Sequence, residues 1–164
     1  PKLKLININR IITDYIKPMI SSFENIKIEI DNIIEDALIM ADEKQIRQAC
    51  SNLIKNSFEN LNLNKINNGY ISIFFKTDDD LATIIINDNG TGIDKSMISK
   101  ITEPYYTTKV GNSGLGLTIT KKIIDDHNGT MLIKSLKGSR GTSIVLKFPL
   151  VSKSNNENKL NVKK

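Results

Sequence analysis

At 164 residues, with 39% apolar and 25% charged content, the chain has the composition of one soluble globular domain with a single sizeable core. Apolar runs fall short of transmembrane length and no signal peptide opens the sequence, so the cytoplasm is the expected location. The net charge of +5 excludes little by itself: residues 152–164 carry a net +3, and the remaining +2 forms no basic stripe with interleaved aromatics, which argues against a nucleic-acid partner. A lone cysteine, Cys50, excludes a disulfide framework and falls among the apolar positions of a predicted helix, where it reads as core. Pro1 as the first residue suggests a fragment of something longer.

Residues 2–6 alternate polar and apolar, as a short strand does. Asn7 or Asn9 can cap a helix running to about Ser21, with Ile11, Ile12, Tyr15, Ile16, Met19 and Ile20 at helical spacing. Pro18 is expected to bend or weaken its final turn. Residues 26–30 form a period-two strand, and 37–40 a short buried one. Asp42 then caps a long helix to about Leu61, whose stripe is Ile46, Ala49, Cys50, Leu53, Ser57 and Leu61. Residues 70–76 and 81–87 read as a hairpin. Residues 94–113 are mostly loop with one short helix. A helix is expected from Gly114 to about Asp126, then an Asn128-Gly129 turn, then a hairpin of 130–136 and 142–150. The tail from 152 to 164 is polar and reads as disordered, which leaves 1–151 as the folded domain. Strands alternating with helices, several of them antiparallel neighbours, predict a two-layer α/β sandwich: one mixed sheet with helices on one face.

Three segments carry chemistry. Asp88 ends the apolar run Leu81-Ala82-Thr83-Ile84-Ile85-Ile86-Asn87 and leads into Asn89-Gly90-Thr91-Gly92-Ile93. A carboxylate held there costs free energy unless it accepts hydrogen bonds, and the exocyclic amine of adenine is a suitable donor. An ordinary Asp-Asn-Gly turn is the alternative. The segment Gly111-Asn112-Ser113-Gly114-Leu115-Gly116-Leu117 opens a helix, whose unpaired N-terminal amides attract phosphate. No Lys-Ser or Lys-Thr closes it, so it is not a Walker A loop, and a structural glycine turn stays open. Asn52 and Asn56, four apart, flank the apolar stripe of the long helix. They are either satisfied core polars or oxygen donors to Mg²⁺, which keeps several waters and binds phosphates.

Taken together, these segments resemble one family. Asn52-Leu53-Ile54-Lys55-Asn56-Ser57 resembles the N box of histidine-kinase ATP-binding domains, and Asp88–Ile93 their G1 box. Glu103-Pro104-Tyr105-Tyr106-Thr107-Thr108-Lys109 is similar to the F box and Gly111–Leu117 to the G2 box. Gly141-Thr142-Ser143, before a strand ending Phe148-Pro149, is similar to the last glycine motif. The resemblance covers roughly residues 1–150, and the wording around 103–109 and 121–127 is similar to nitrogen-regulation-type (NtrY/NtrB-like) sensor kinases.

The resemblance implies a Bergerat fold, shared with gyrase, the chaperone Hsp90 and mismatch-repair ATPases. It implies a domain that binds Mg²⁺ and ATP or ADP and delivers the γ-phosphoryl group to a histidine. That histidine lies on a separate helical hairpin of the parent kinase, for relay to a response regulator. By the same resemblance Asn56 would hold the metal, with Asn52 supporting it. Asp88 would take the adenine amine, partly through water shared with Thr142, in a pocket with Gly90, Gly92 and Ile93. Residues 94–113 would be a mobile lid, anchored by Tyr105 and Tyr106. Thr107, Thr108, Lys109, Gly111, Ser113 and Gly114 would lie along the nucleotide, with Lys109 reaching the phosphates. The Leu115 and Gly116 amides, followed by Leu117, would hold the phosphate chain. The isolated domain would be a monomer and the parent a homodimer anchored in the bacterial inner membrane.

Three departures stand out. The G2 box has Asn112-Ser113 where Gly-Thr is commonest. The F box has tyrosine for phenylalanine, and the N box ends in Ser57 rather than alanine, read as silent. The phosphoacceptor is absent: the single histidine, His127, sits at a predicted helix end, where a cation is favourable, and reads as a structural end residue rather than a phosphoacceptor. ATP-hydrolysing relatives place a glutamate four residues before the metal asparagine. Here that residue is Asn52, which cannot take a proton at neutral pH. That favours the kinase over a hydrolytic machine, with a nucleotide-gated binding module as a third reading.

Overall fold

Alternation builds the central sheet. In β4 (Tyr70–Thr77) and β5 (Leu81–Asp88), Ile71, Ile73 and Phe75 stand beside Ala82, Ile84 and Ile86 on one buried face. The computed structural model describes residues 1–31, 37–78, 80–94, 96–103, 115–135 and 141–151. Within them β2 (Lys27–Asp31), β4, β5, β7 (Thr142–Pro149) and β6 (Thr130–Ser135) form a mixed sheet in the order β2-β4-β5-β7-β6. β2 runs parallel to β4, and the other pairs are antiparallel. The helices cover the apolar face. This is the two-layer α/β sandwich that the sequence predicts.

The long helix α3 (Glu43–Leu63) forms as expected. Asp42 caps it, its Oδ1 accepting from the Lys44 and Gln45 amides at 3.1 and 3.4 Å. Every residue of the predicted stripe is buried, and Ser51 and Ile54 widen it. Phe58 leaves the stripe and stacks on Phe23, ring centroids 4.2 Å apart. The second site-bearing helix, α4 (Gly116–Asp126), packs beside α3. It ends at Asn128, whose φ of 54° is the left-handed turn that stops the helix.

Two expectations change. A second sheet exists: β1 (Lys4–Asn7) and β3 (Leu38–Ala41) pair as an antiparallel ribbon of their own. β3 is short because Asp42 follows it at once and caps α3. The first helix is interrupted. It starts as α1 (Ile8–Ile11), capped by Asn7, widens into a π turn (Ile12–Ile16) and resumes as α2 (Lys17–Ile20). Pro18 has no N–H for the carbonyl four residues back, and Lys17 instead donates to Ile12, five back. Of the predicted 94–113 loop, residues 96–102 form successive turns, beginning where Asp94 Oδ1 accepts from the Ser96 amide at 2.8 Å and hydroxyl at 2.7 Å, and 104–113 lie outside the described residues. The final turn, 137–140, and the tail, 152–164, lie outside the described residues.

Candidate functional site

The period of two in β5 explains Asp88. It continues the row Ala82, Ile84, Ile86 and so points into the helix layer, only 6% exposed. Each carboxylate oxygen finds a donor. Oδ1 accepts from the Gly90 amide at 3.0 Å, and Oδ2 from the Ser57 hydroxyl at 3.1 Å. Thr142, its register partner on β7, adds a main-chain donor. Burial pushes the carboxyl above its ordinary range, and the donors from Gly90, Ser57 and Thr142 oppose the shift.

Ser57 therefore corrects the sequence reading. Its change from alanine is not silent, because the hydroxyl ties α3 to the G1 carboxylate. Its place in the buried stripe was the available signal, since a buried hydroxyl needs a partner.

Two glycines fix the backbone around Asp88. Gly92 has φ of 75°, which side chains disfavour, and a Cβ there would lie 2.7 Å from Ser135 Oγ. Gly141 has φ of 147°, and a Cβ there would meet the Asp88 carbonyl oxygen at 2.2 Å. The 88–93 turn is thus seated against β6 and the start of β7, with the Ile93 amide donating to Ser135 Oγ at 3.3 Å.

Asn56 marks the other end. It lies one residue before Ser57, half-buried, and its Nδ2 is 3.8 Å from where a Cβ of Gly116 would stand. The N box thus meets the start of α4. Leu115 occupies the N-cap position there and no side chain caps the helix, leaving amides of the first turn to a ligand. Asn56, Leu115, Gly116 and Leu117 are brought to this end, with Asn52 one turn back along α3; Asp88, Gly90, Gly92, Ile93 and Thr142 are brought to the other. Tyr105, Tyr106, Thr107, Thr108, Lys109, Gly111, Ser113 and Gly114 lie outside the described residues. Of the predicted lid, Thr102 is tied down, its carbonyl accepting from Thr118 Oγ1 of α4 at 3.1 Å.

His127 is 3% exposed at the end of α4. Its Nε2 accepts from the Asp42 amide at 2.9 Å, so that nitrogen carries no proton. Nδ1, 2.6 Å from the Ile123 carbonyl, is then the donor. The ring joins the start of α3 to the end of α4, as a structural residue at a helix end.

The family described as histidine kinase-, DNA gyrase B- and HSP90-like ATPases matches residues 41–152. The chain belongs to that family. Within it the similarity is to histidine kinases. Sporulation kinase B of Bacillus subtilis is 40% identical over 114 residues, covering 70% of this chain and 26% of that protein. A putative NtrY-like sensor histidine kinase of Rickettsia typhi is 33% identical, covering 77% of this chain and 21% of that protein. The catalytic domain of histidine kinase ThkA superposes with a TM-score of 0.74 at 28% identity, covering 92% and 97% of the two chains. This histidine-kinase-type ATP-binding catalytic domain therefore spans about a quarter or less of the length of the curated relatives it matches.

Proposed function

We propose that this domain positions ATP with Mg²⁺ and delivers the γ-phosphoryl group to a histidine on a separate helical hairpin of the same parent kinase. The observation that carries the reading is the adjacency of Asn56 and Ser57 on α3. One faces the start of α4, and the next bonds Asp88. A single helix turn thus spans a phosphate end and an adenine end. Asp88 accepts the adenine amine, with Thr142 beside it. The amides at Leu115 and Gly116 take the phosphates.

Among the described residues no group of three or more His, Cys, Asp or Glu could hold a metal. Asn56 would hold Mg²⁺, a cation that keeps several waters and binds phosphates, with Asn52 supporting that amide. The metal would supply charge neutralisation at the phosphates. The protein contributes position and electrostatics, the main terms in phosphoryl transfer. By the resemblance of its motif, Lys109, which lies outside the described residues, would complete the set.

The histidine kinase ThkA has been solved in complex with the response regulator protein TrrA. By analogy, the parent of this chain relays its phosphoryl group to a response regulator. We take the isolated domain as a monomer and the parent as a membrane-anchored homodimer. No described helix is long and apolar enough to cross a membrane.

The test is radiolabelled ATP with this chain alone, with the parent's hairpin alone, and with both. Acid-labile label on the hairpin only in the mixture supports the proposal. Label on this chain by itself, or brisk phosphate release without the hairpin, overturns it in favour of the hydrolytic branch.

A further inference from the structure

Asn60 stands one turn beyond Asn56 on α3, half-buried, in a place no motif accounts for. Its orientation is fixed by Asn64. The Asn64 Nδ2 donates to the Asn60 main-chain carbonyl at 2.8 Å, so that atom is certainly the donor. The same Nδ2 lies 2.9 Å from the Asn60 side chain, which must therefore present Oδ1 to it. The Nδ2 of Asn60 is left pointing the other way, with no acceptor among the described residues. It points at Gly90. A Cβ there would lie 2.7 Å from Asn60 Nδ2 and 2.8 Å from Asp88 Oδ1. An unmatched donor and an acceptor thus both stand beside the glycine.

We propose that Asn60 reads the nucleobase: its Nδ2 donates to a ring nitrogen beside the amine that Asp88 accepts. This rests on the adenine reading of Asp88. Adenine offers that pairing on either side of its amine, with N1 on one flank and N7 on the other, both acceptors. Guanine carries a carbonyl where adenine has the amine, and its N1 bears a proton. On the N1 flank it would set donor against donor at Asn60, and in either orientation acceptor against acceptor at Asp88. Asn60 is then a specificity-determining residue, and Asn64 a positioning residue that holds its amide the right way round.

The experiment is calorimetry of the wild type, Asn60→Leu, Asn64→Ala and Asp88→Asn with the Mg²⁺ complexes of ATP, 1-deaza-ATP, 7-deaza-ATP and GTP. One neutral hydrogen bond corresponds to roughly a three- to tenfold change in affinity. The wild type is expected to bind one deaza analogue weaker than ATP by about that factor. Asn60→Leu should lose ATP affinity by the same factor while binding that analogue as the wild type does. Which analogue responds identifies N1 or N7. Asn64→Ala, which touches no nucleotide, should lose part of the same discrimination and guards against a misfolded Asn60 variant.

If Asp88→Asn weakens ATP but Asn60→Leu and Asn64→Ala leave every ratio between nucleotides unchanged, the role of Asn60 is wrong and the adenine pocket stands. If Asp88→Asn leaves ATP binding unchanged, the pocket itself is misassigned and both fall.

Discussion

The Asp42 amide donates to Nε2 of His127 across 85 positions of sequence. The Asp42 side chain meanwhile caps α3, and His127 closes α4 through the Ile123 carbonyl. The helix bearing Asn52 and Asn56 is thereby held to α4, at whose start we propose that the phosphates bind. His127→Ala should lower stability by about 2–3 kcal/mol, from two lost buried hydrogen bonds and a small cavity. Nitrogen-15 NMR should find the ring as the Nδ1–H tautomer. A protonated or Nε2–H ring at neutral pH would contradict the geometry.

Asp88→Asn should weaken ATP, because the amide can turn a donor toward the adenine amine. The loss is expected at about 1–3 kcal/mol of binding. Equal ATP affinity of the two proteins by calorimetry would count against the pocket.

The same carboxyl predicts a pH dependence. Its folded pKa is raised, chiefly by burial. A group of that kind contributes stability that is fully present below the unfolded pKa and is lost as pH rises through the folded one. Without nucleotide, the melting temperature of the wild type should therefore rise relative to Asp88→Asn as pH falls from 7 through the raised carboxyl range. ATP affinity should fall over the same window, since the protonated carboxyl is a poorer acceptor. Ser57→Ala removes a donor that stabilises the ionised form. It should move the affinity midpoint to higher pH and cost about 1–2 kcal/mol of stability at neutral pH. An unmoved midpoint would make Ser57 a packing residue only.

Asn56→Ala should reduce ATP binding in the presence of Mg²⁺ far more than in EDTA, with the fold intact by circular dichroism. Asn56 lies beside the apolar stripe rather than in it, so core packing is left alone. An equal loss in both conditions would remove the metal role.

Gly141→Ala is expected to destabilise by roughly 3 kcal/mol or more, as strain at its φ adds to the contact with the Asp88 carbonyl. Chemical denaturation measures it, and a loss under about 1 kcal/mol would show that the turn gives way easily.

Much of this was legible because periodicity is local. The stripe of α3 and the alternation in β5 each follow from a dozen consecutive residues, and together they place Asp88 against the helix layer. What escaped was pairwise and distant. Nothing near Ser57 in sequence announces Asp88, and nothing near His127 announces Asp42, so one looked silent and the other looked like a helix end without a distant partner. The π turn escaped for another reason. Pro18 signals a missing donor, but whether a helix bends, ends or widens there is decided by packing.

Cys50 lies on the buried face of α3 with no exposed surface, and its thiol is pushed up to about 12 by burial. A thiol reagent can reach it only when α3 lifts from the sheet. The chain thus carries its own reporter, a lone sulfur on the helix that bears Asn52, Asn56 and Asn60. Pulsed alkylation read by mass spectrometry would time that opening without any engineered label, and a bound nucleotide should lengthen the wait.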